Sequence, residues 1–342
     1  MFVWILDVFF GPAVGSPDRI ETRWFPTHFV TLWMVDILSR HGGRMRDLGW
    51  ALVWMFAALI VSTAVIAATV GVSRRSRRRP PVGSGWGQFS TGLRMGLRDY
   101  RRNPVLWVLL VVVPIVFIVL AKAMTASESG VFSLVERGST VMQVFWLPDV
   151  HAGTMTPIAV SSLAALAGLF VGLDARGGDR RLTLAGFPFP LLLAVRLTMI
   201  GFAAGLVTVS SLMIIATVFD ARQWGVYGGG NLLMAVTYGL LGFSLGPSFG
   251  CVGGVFIAFL VPFLDLGIGQ SPMLRPEPAT WAHGLPGYGA MRVLLDGGLT
   301  ARFDEVGPLL GALVWLLALS ALAGRLFHRA HPRASPLGLV IR

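Results

Sequence analysis

The sequence predicts an all-α integral membrane protein, a polytopic helical bundle of about seven transmembrane helices, and three observations carry that expectation. Hydrophobic residues make up 54% and charged residues 13% of the 342-residue chain, with a mean hydropathy of +0.71. A soluble domain has no core large enough to hide that much apolar surface. The apolar residues fall in separate blocks of about 20, the length a helix needs to cross a hydrocarbon layer roughly 30 Å thick. Lys122 is the single lysine, so nearly all of the positive charge behind the formal +11 is arginine, and it collects beside the apolar blocks. Charge in that position reads as juxtamembrane, not as a nucleic-acid surface.

The blocks run over residues 48–72, 104–123, 157–173, 190–219, 232–245, 250–266 and 308–327. The fifth and sixth are short and separated by Gly246, Pro247 and Ser248, which predicts a tight helical hairpin that turns there. Short arginine-rich loops are retained in the cytoplasm. The linker 73–103 carries nine arginines, among them Arg74, Arg75, Arg77, Arg78 and Arg79, against the single acid Asp99. It is therefore cytoplasmic. Alternation places the loop with Arg176, Arg180 and Arg181 and the tail with Arg325, Arg329, Arg333 and Arg342 inside. Loops 124–156, 220–231 and 267–307, where acids and arginines nearly balance, fall outside. The expectation is a multi-pass protein of the cell (inner or plasma) membrane with its N-terminus outside and its C-terminus in the cytoplasm.

Two cytoplasmic surfaces stand out. Phe89, Leu93, Leu97 and Tyr100 recur at helical spacing, with Arg94, Arg98 and Arg101 largely off that stripe. Such a helix lies flat in the interface, its arginines meeting anionic headgroups of the lipid bilayer. The second surface is 174–190, where Asp174, Arg176, Asp179, Arg180 and Arg181 pair with one another or with a partner subunit. Inside the apolar blocks ionisable groups are few, and each is a functional candidate because burial in lipid is costly. Arg196, just past Pro190, reaches the cytoplasmic face by snorkelling. Asp265, near the outer end of a span, caps a re-entrant turn or touches a substrate, and Tyr288 in the following loop joins it as an outer-gate or capping candidate. Glycines such as Gly239, Gly242, Gly246, Gly250, Gly253 and Gly254 let helices approach closely, within the chain or at a dimer interface.

No catalytic or metal-binding constellation is expected. The six histidines are scattered, no His-Glu-x-x-His is present, and the one cysteine, Cys251, has no thiol to pair with. A phosphate-binding loop needs a lysine after its glycines, and Lys122 sits between Ala121 and Ala123. This chain is therefore not read as an enzyme, and no cofactor is assigned to it.

The chain also resembles itself. Leu285-Pro286, Asp296 and Ala312-Leu313-Val314-Trp315 match Phe25-Pro26, Asp36 and Ala51-Leu52-Val53-Trp54 at offsets of 260 or 261 residues. Upstream, Phe263-Leu264-Asp265-Leu266 before Ser271-Pro272 matches Ile5-Leu6-Asp7-Val8 before Ser16-Pro17. Duplicated halves are common in transporters. Residues 1–72 are then the end of a first half, its fifth span, outer loop and last span; residues 73–104 are a linker and interfacial helix. Residues 105–330 form a complete six-span unit and 331–342 a cytoplasmic tail. The rest of the first half is either a separate polypeptide or lost to a misassigned start.

Residues 88–329 resemble the ABC-2 type permeases, the membrane subunits of one class of ATP-binding-cassette exporters. The likeness rests on order. The amphipathic segment 93–104 precedes the first of six spans. Asp174-Ala175-Arg176-Gly177-Gly178-Asp179-Arg180-Arg181-Leu182 with Pro188-Phe189-Pro190 is similar to the family's acidic, Gly and Arg-Leu signature and proline-bounded turn. Leu285-Pro286-Gly287-Tyr288 is similar to the Pro-x-x-Tyr stretch before its last span. With the N-terminal fragment included, the chain is similar to the second part of fused two-half permeases associated with antibiotic and ionophore export. The resemblance implies export of a lipophilic or amphipathic substrate, powered by a separate ABC ATPase subunit, a dimer that binds ATP and magnesium. It also implies a further partner, either a first-half permease or a second copy, and it makes 174–181 the ATPase-coupling surface. An ion-coupled secondary transporter and a non-transporting truncated remnant are the alternatives.

Overall fold

A computed structural model describes residues 85–102, 108–125, 127–184, 187–272 and 274–330, together with Phe29, Gly49, Trp50 and Val53. The N-terminal members of the repeat with Asp7 and Asp36, most of the block 48–72 and the tail 331–342 lie outside the described residues. The chain forms two contact units, Met1–Pro81 with Met124–Ala126, and Val82–Ala123 with Ser127–Arg342. In the first, the rings of Phe29 and Trp50 stack with centroids 6.0 Å apart.

The second unit is a helical bundle, in agreement with the predicted fold class. Its elements are α1 (Gly85–Arg102), a π-helical turn (Val108–Val112) leading into α2 (Val113–Met124), β1 (Ser129–Glu136), β2 (Ser139–Trp146), α3 (Leu147–Leu184) and α4 (Phe189–Ile215). After these come α5 (Trp224–Pro262) with a π-helical turn (Phe263–Gly269), a 3-10 turn (Thr280–Gly284), α6 (Tyr288–Leu299) and α7 (Val306–Ala330). Four segments among the described residues are long and apolar enough to cross a membrane: Leu147–Leu173, Phe189–Ile215, Trp224–Gly269 and Val306–Arg329. Leu110–Ala123 is a shorter apolar helix.

The segment Trp224–Gly269 is two crossings, not one. Its helical hydrogen bonding is nearly continuous, yet Gly250 has φ 67° and ψ −164°, a region open essentially to glycine alone. Tyr238 and Asp265, 27 residues apart, are hydrogen-bonded; in a straight helix they would be about 40 Å apart. Leu169 of α3 lies against both Gly246 and Gly254. The chain therefore reverses at Gly250, giving arms over 224–249 and 251–269, about 39 and 28 Å long at 1.5 Å per residue. The expected hairpin is present, but the turn sits later than 246–248. Pro247 lies inside the helix, because the backbone reversal needs a positive φ that proline cannot adopt.

The predicted span 157–173 is also only the middle of its helix. α3 begins at Leu147, with Val150, Ala152 and Met155 buried in front of Pro157, and it continues through 174–184. Polar residues end an apolar block without ending a helix, so 174–184 is a helical extension of about three turns and not a loop. Close contacts set the packing direction. A side chain at Gly242 would strike the carbonyl of Ala165, and one at Gly168 the carbonyl of Gly239. The descending arm of α5 thus runs parallel to α3 with backbones nearly touching, the use of small residues expected where lipid supplies no hydrophobic drive. These glycines serve packing inside the chain. Near the other end of the bundle, Met199, Ile200, Phe243, Leu319, Ala323 and Phe327 belong to one buried cluster joining α4, α5 and α7.

The three loops placed together by alternation do share one end of the bundle. Arg222 and Gln223 donate backbone hydrogen bonds to Gly298 and Gly297, and Ser133 donates to Pro276. We call this the loop end. The opposite, basic end carries the Gly250 turn, the α3–α4 connection and the C-terminus of α7, with Arg325 and Arg329 exposed.

Replacing Gly250 with alanine should lower stability in detergent by roughly 1–3 kcal/mol, because open space surrounds the position and only the backbone angle is at stake. Gly253→Ala, three residues on in an ordinary helical conformation, should instead be neutral or mildly stabilising. Thermal unfolding followed by size-exclusion chromatography checks the difference in sign.

Candidate functional site

The segment 267–307, read from sequence as an outer loop, folds back into the bundle. α6 is buried along its length from Gly289 to Leu299. A side chain at Gly297 would meet Tyr227, one at Gly230 would meet Leu294, and one at Gly287 would meet Tyr238 and Asp265. α6 therefore runs antiparallel to the descending arm of α5, from a deep N-terminus beside Tyr238 to a C-terminus at the loop end. Gly289 on its other side touches Pro308 and Ala312 of α7. It is a re-entrant helix.

A helix that begins inside a bundle has several N–H groups without intrahelical acceptors. Asp265, only 2% exposed, answers one of them: its Oδ2 accepts the Gly287 N–H at 2.9 Å. The same carboxylate accepts the hydroxyl of Tyr238 and the side-chain amide of Gln270. Its negative charge faces the positive end of the α6 dipole, which offsets part of the cost of burying it. The π-helical turn Phe263–Gly269 holds Asp265 at this point, and one buried acceptor, Gln270 Oε1, has no partner. The geometry is that of a cap. Tyr288, the first residue of α6, does not reach Asp265; its ring packs on His283 with centroids 4.6 Å apart.

Nearer the loop end a second cluster fixes α6. Arg292 donates through Nε to Glu305 Oε1 at 2.8 Å and through Nη1 to the Ser133 carbonyl at 2.9 Å, and both charged groups are buried. Asp296 accepts from the Thr300 hydroxyl and from the Asp304 N–H. Asp304 in turn accepts the Arg137 N–H at 2.9 Å. One short helix thereby ties the β-hairpin to the start of α7. Tyr238, Arg292 and Glu305 escaped the sequence reading because their partners lie 13 to 27 residues away, and Gln270, five residues from Asp265, because only the π-helical turn brings the two together. The trace available was Arg292 and Asp296 at i, i+4 in a 12-residue apolar run opened by Pro286-Gly287, too short to look like a span.

At the basic end, Arg196 and Asp179 form a two-pronged ion pair, with Nη2–Oδ1 at 2.6 Å and Nε–Oδ2 at 3.1 Å. Asp179 is fully buried. This revises two expectations: Asp179 lies inside the chain instead of on an accessible surface, and Arg196 clamps α4 to the extension of α3 instead of snorkelling alone. The helix extends past Leu173, which carries position 179 back to the level of 196. The backbone of Asp174, Arg176, Arg180 and Arg181 is in that extension, and their side chains lie outside the described residues. α1 packs along the first turns of α4, with Gly92 over Val195 and Gly96 over Met199. Phe89, Leu93 and Leu97 are half-buried, while Arg94, Arg98 and Arg101 are exposed. The Tyr100 side chain is outside the described residues.

Among the described residues, no three His, Cys, Asp or Glu side chains converge where a metal ion would sit. No family model, no characterised protein and no solved structure matches the chain significantly.

Two measurements check the site. Arg292→Met or Glu305→Gln alone should cost about 3–5 kcal/mol by stranding a buried charge, whereas replacing both should cost less than the sum; a coupling near zero in detergent unfolding would show that the pair does not act as a unit. Asp265→Ala should raise amide hydrogen exchange at 287–291 by roughly tenfold or more, and Asp265→Asn, which keeps an acceptor for Gly287, should raise it less.

Proposed function

We propose that this membrane protein is the permease subunit of an ATP-binding-cassette exporter of the ABC-2 type, moving a lipophilic or amphipathic molecule outward on energy supplied by a separate ATPase. The observation that carries the reading is the parity of the bundle. α3, α4, the two arms of α5 and α7 run alternately, so that the α3–α4 connection, the Gly250 turn and the C-terminus of α7 lie at the basic end while the long connections among these segments lie at the loop end. The positive-inside rule puts the basic end in the cytoplasm. The order of features matches the resemblance: an amphipathic helix first, the arginine-rich segment and Pro188-Phe189-Pro190 between the second and third segments, and Leu285–Arg292 before the last.

In this reading the ATPase docks on the basic end, at α1 and the extension of α3. The Asp179–Arg196 clamp joins that extension to α4, so force applied there is delivered to two spans together. At the loop end Asp265 and the Arg292–Glu305 pair bind α6 to α5, α7 and the β-hairpin, so the outer side opens by movement of this cap as one body. The path for an amphipathic molecule runs along an interface with a second permease half, either another chain or another copy. The chain has no phosphate-binding loop in its sequence, and hydrolysis belongs to the partner.

Cys251 is exposed and adjoins the Gly250 turn. A membrane-impermeant maleimide should leave it unlabelled in intact cells and label it in inverted vesicles; the reverse pattern would overturn the orientation. Co-expression with candidate ABC ATPase and first-half permease subunits tests the function. Co-purification with hydrolysis stimulated several-fold by lipophilic drugs supports the exporter, and gradient-driven flux without any ATPase would replace it with an ion-coupled carrier.

A further inference from the structure

We infer that Arg94, Arg98 and Arg101 of α1 form a binding site for the phosphate headgroup of an anionic phospholipid, held on the flank of the bundle below the level of the other headgroups. This rests on the membrane character of the bundle and not on the exporter reading.

The sequence led to a helix lying flat in the interface, and the contacts of α1 correct that expectation. Gly92 packs on Val195 and Gly96 on Met199, a step of four residues on each helix, so α1 runs beside α4 and in the same direction. A helix laid across α4 would touch it at one point. The chain keeps this course beyond α1, where the Ser210 hydroxyl of α4 donates to the Leu110 carbonyl at 3.1 Å. α1 therefore enters the membrane alongside a span.

α7 supplies the level of the boundary at the basic end. Gly324 lies against Leu193, and the rings of Phe189 and His328 have centroids 5.2 Å apart. Arg325, the first charged residue of α7, is thus level with position 192 of α4. Arg94 sits between the contacts at Val195 and Met199, about 7 Å inside that level at 1.5 Å per residue. Arg98 is a turn deeper and Arg101 deeper again.

The three arginines point away from the bundle. Positions 92 and 96 face α4, so 94, 98 and 101 fall on the opposite side of the helix, and all three side chains are exposed. Met95 beside them is exposed too, as are Phe202, Val209 and Met213 of α4. This is the side wall of the bundle at the depth of its spans, where the surrounding phase is lipid. Arg196, at the same depth on an inner face, has Asp179 as its counter-ion. Among the described residues no carboxylate pairs with Arg94, Arg98 or Arg101.

An unpaired guanidinium in hydrocarbon is costly and draws in whatever anion can reach it. Helical side chains lean toward the helix N-terminus, which for α1 is the basic end, so Arg94 snorkels to the headgroup layer. Arg98 and Arg101 start too deep for that. A lipid phosphate pulled inward satisfies them: side chains at i and i+4 stand about 6 Å apart, and two guanidinium forks close on one phosphodiester. The acyl chains stay in the bilayer beside Met95. A zwitterionic headgroup would bring an ammonium against three guanidinium groups, which selects a lipid of net negative charge.

The test has two parts, both on the full chain in vesicles. Nitroxides at Gly87→Cys and Met95→Cys, each in a Cys251→Ser background, report depth. The ratio of relaxation by oxygen to relaxation by a water-soluble nickel chelate should rise several-fold from 87 to 95. Equal ratios would overturn the proposal by laying the helix flat, and nickel access at 95 would overturn it by placing the face in water. Protection of 95 from both agents, with spin–spin broadening that disappears on dilution with unlabelled chain, would overturn it in favour of a second copy. In the second part, the motionally restricted fraction of spin-labelled phosphatidylglycerol should exceed that of phosphatidylcholine. Arg98→Gln should reduce that excess, and Arg94→Gln/Arg98→Gln/Arg101→Gln should remove at least half of it. Arg325→Gln/Arg329→Gln, at the boundary, should change it less. An excess that survives the triple substitution, or one that the boundary pair alone abolishes, would show that α1 holds no such site.

Discussion

Everything at the loop end depends on one requirement: a helix that starts inside a membrane bundle must find acceptors for its first N–H groups. Asp265 meets it. A carboxylate and a helix N-terminus are each costly to bury alone, and together each offsets the cost of the other. Tyr238 and Gln270 donate to the same carboxylate, one from each arm of the Gly250 hairpin. The hairpin, the re-entrant helix and the depth to which α6 penetrates are thus consequences of one charge placed one turn from the end of an apolar arm.

The two ends of the bundle are held by different means. At the basic end the buried Asp179–Arg196 pair joins elements close in sequence, across the short α3–α4 connection. At the loop end Arg292, Glu305, Asp304, Arg137 and Ser133 join elements separated by up to 167 residues. Between them the core carries no described ion pair and is packed through glycine, alanine and apolar side chains. Polar groups thus hold the two ends, and close backbone packing holds the middle.

The sequence was legible wherever one local property decided the outcome. Block length gave the apolar segments of the described bundle, arginine placement gave the division of loops between two ends, and the break at Gly246-Pro247-Ser248 gave the hairpin, although its turn sits at Gly250. It was illegible wherever the deciding partner was remote. Polarity at Asp174–Arg181 suggested a loop, but helix hydrogen bonds are indifferent to side-chain polarity, and Asp179 found Arg196. The run 288–299 was too short for a span and too polar for a core helix until Asp265, Glu305 and Ser133 were placed around it. The β-hairpin 129–146 alternates only weakly, because one strand is buried on an edge and the other exposes its apolar face.

The chain by itself therefore determined that this is a helical membrane protein, how its blocks alternate and which end is basic, because hydrophobic length and charge asymmetry are read residue by residue against the bilayer. Only the tertiary structure decided what the few buried charges do. A carboxylate or guanidinium in an apolar segment announces that it must be satisfied, but the group that satisfies it is chosen by packing: α5 folding back at Gly250 brings Tyr238 to Asp265, and α6 entering the bundle brings Arg292 to Glu305.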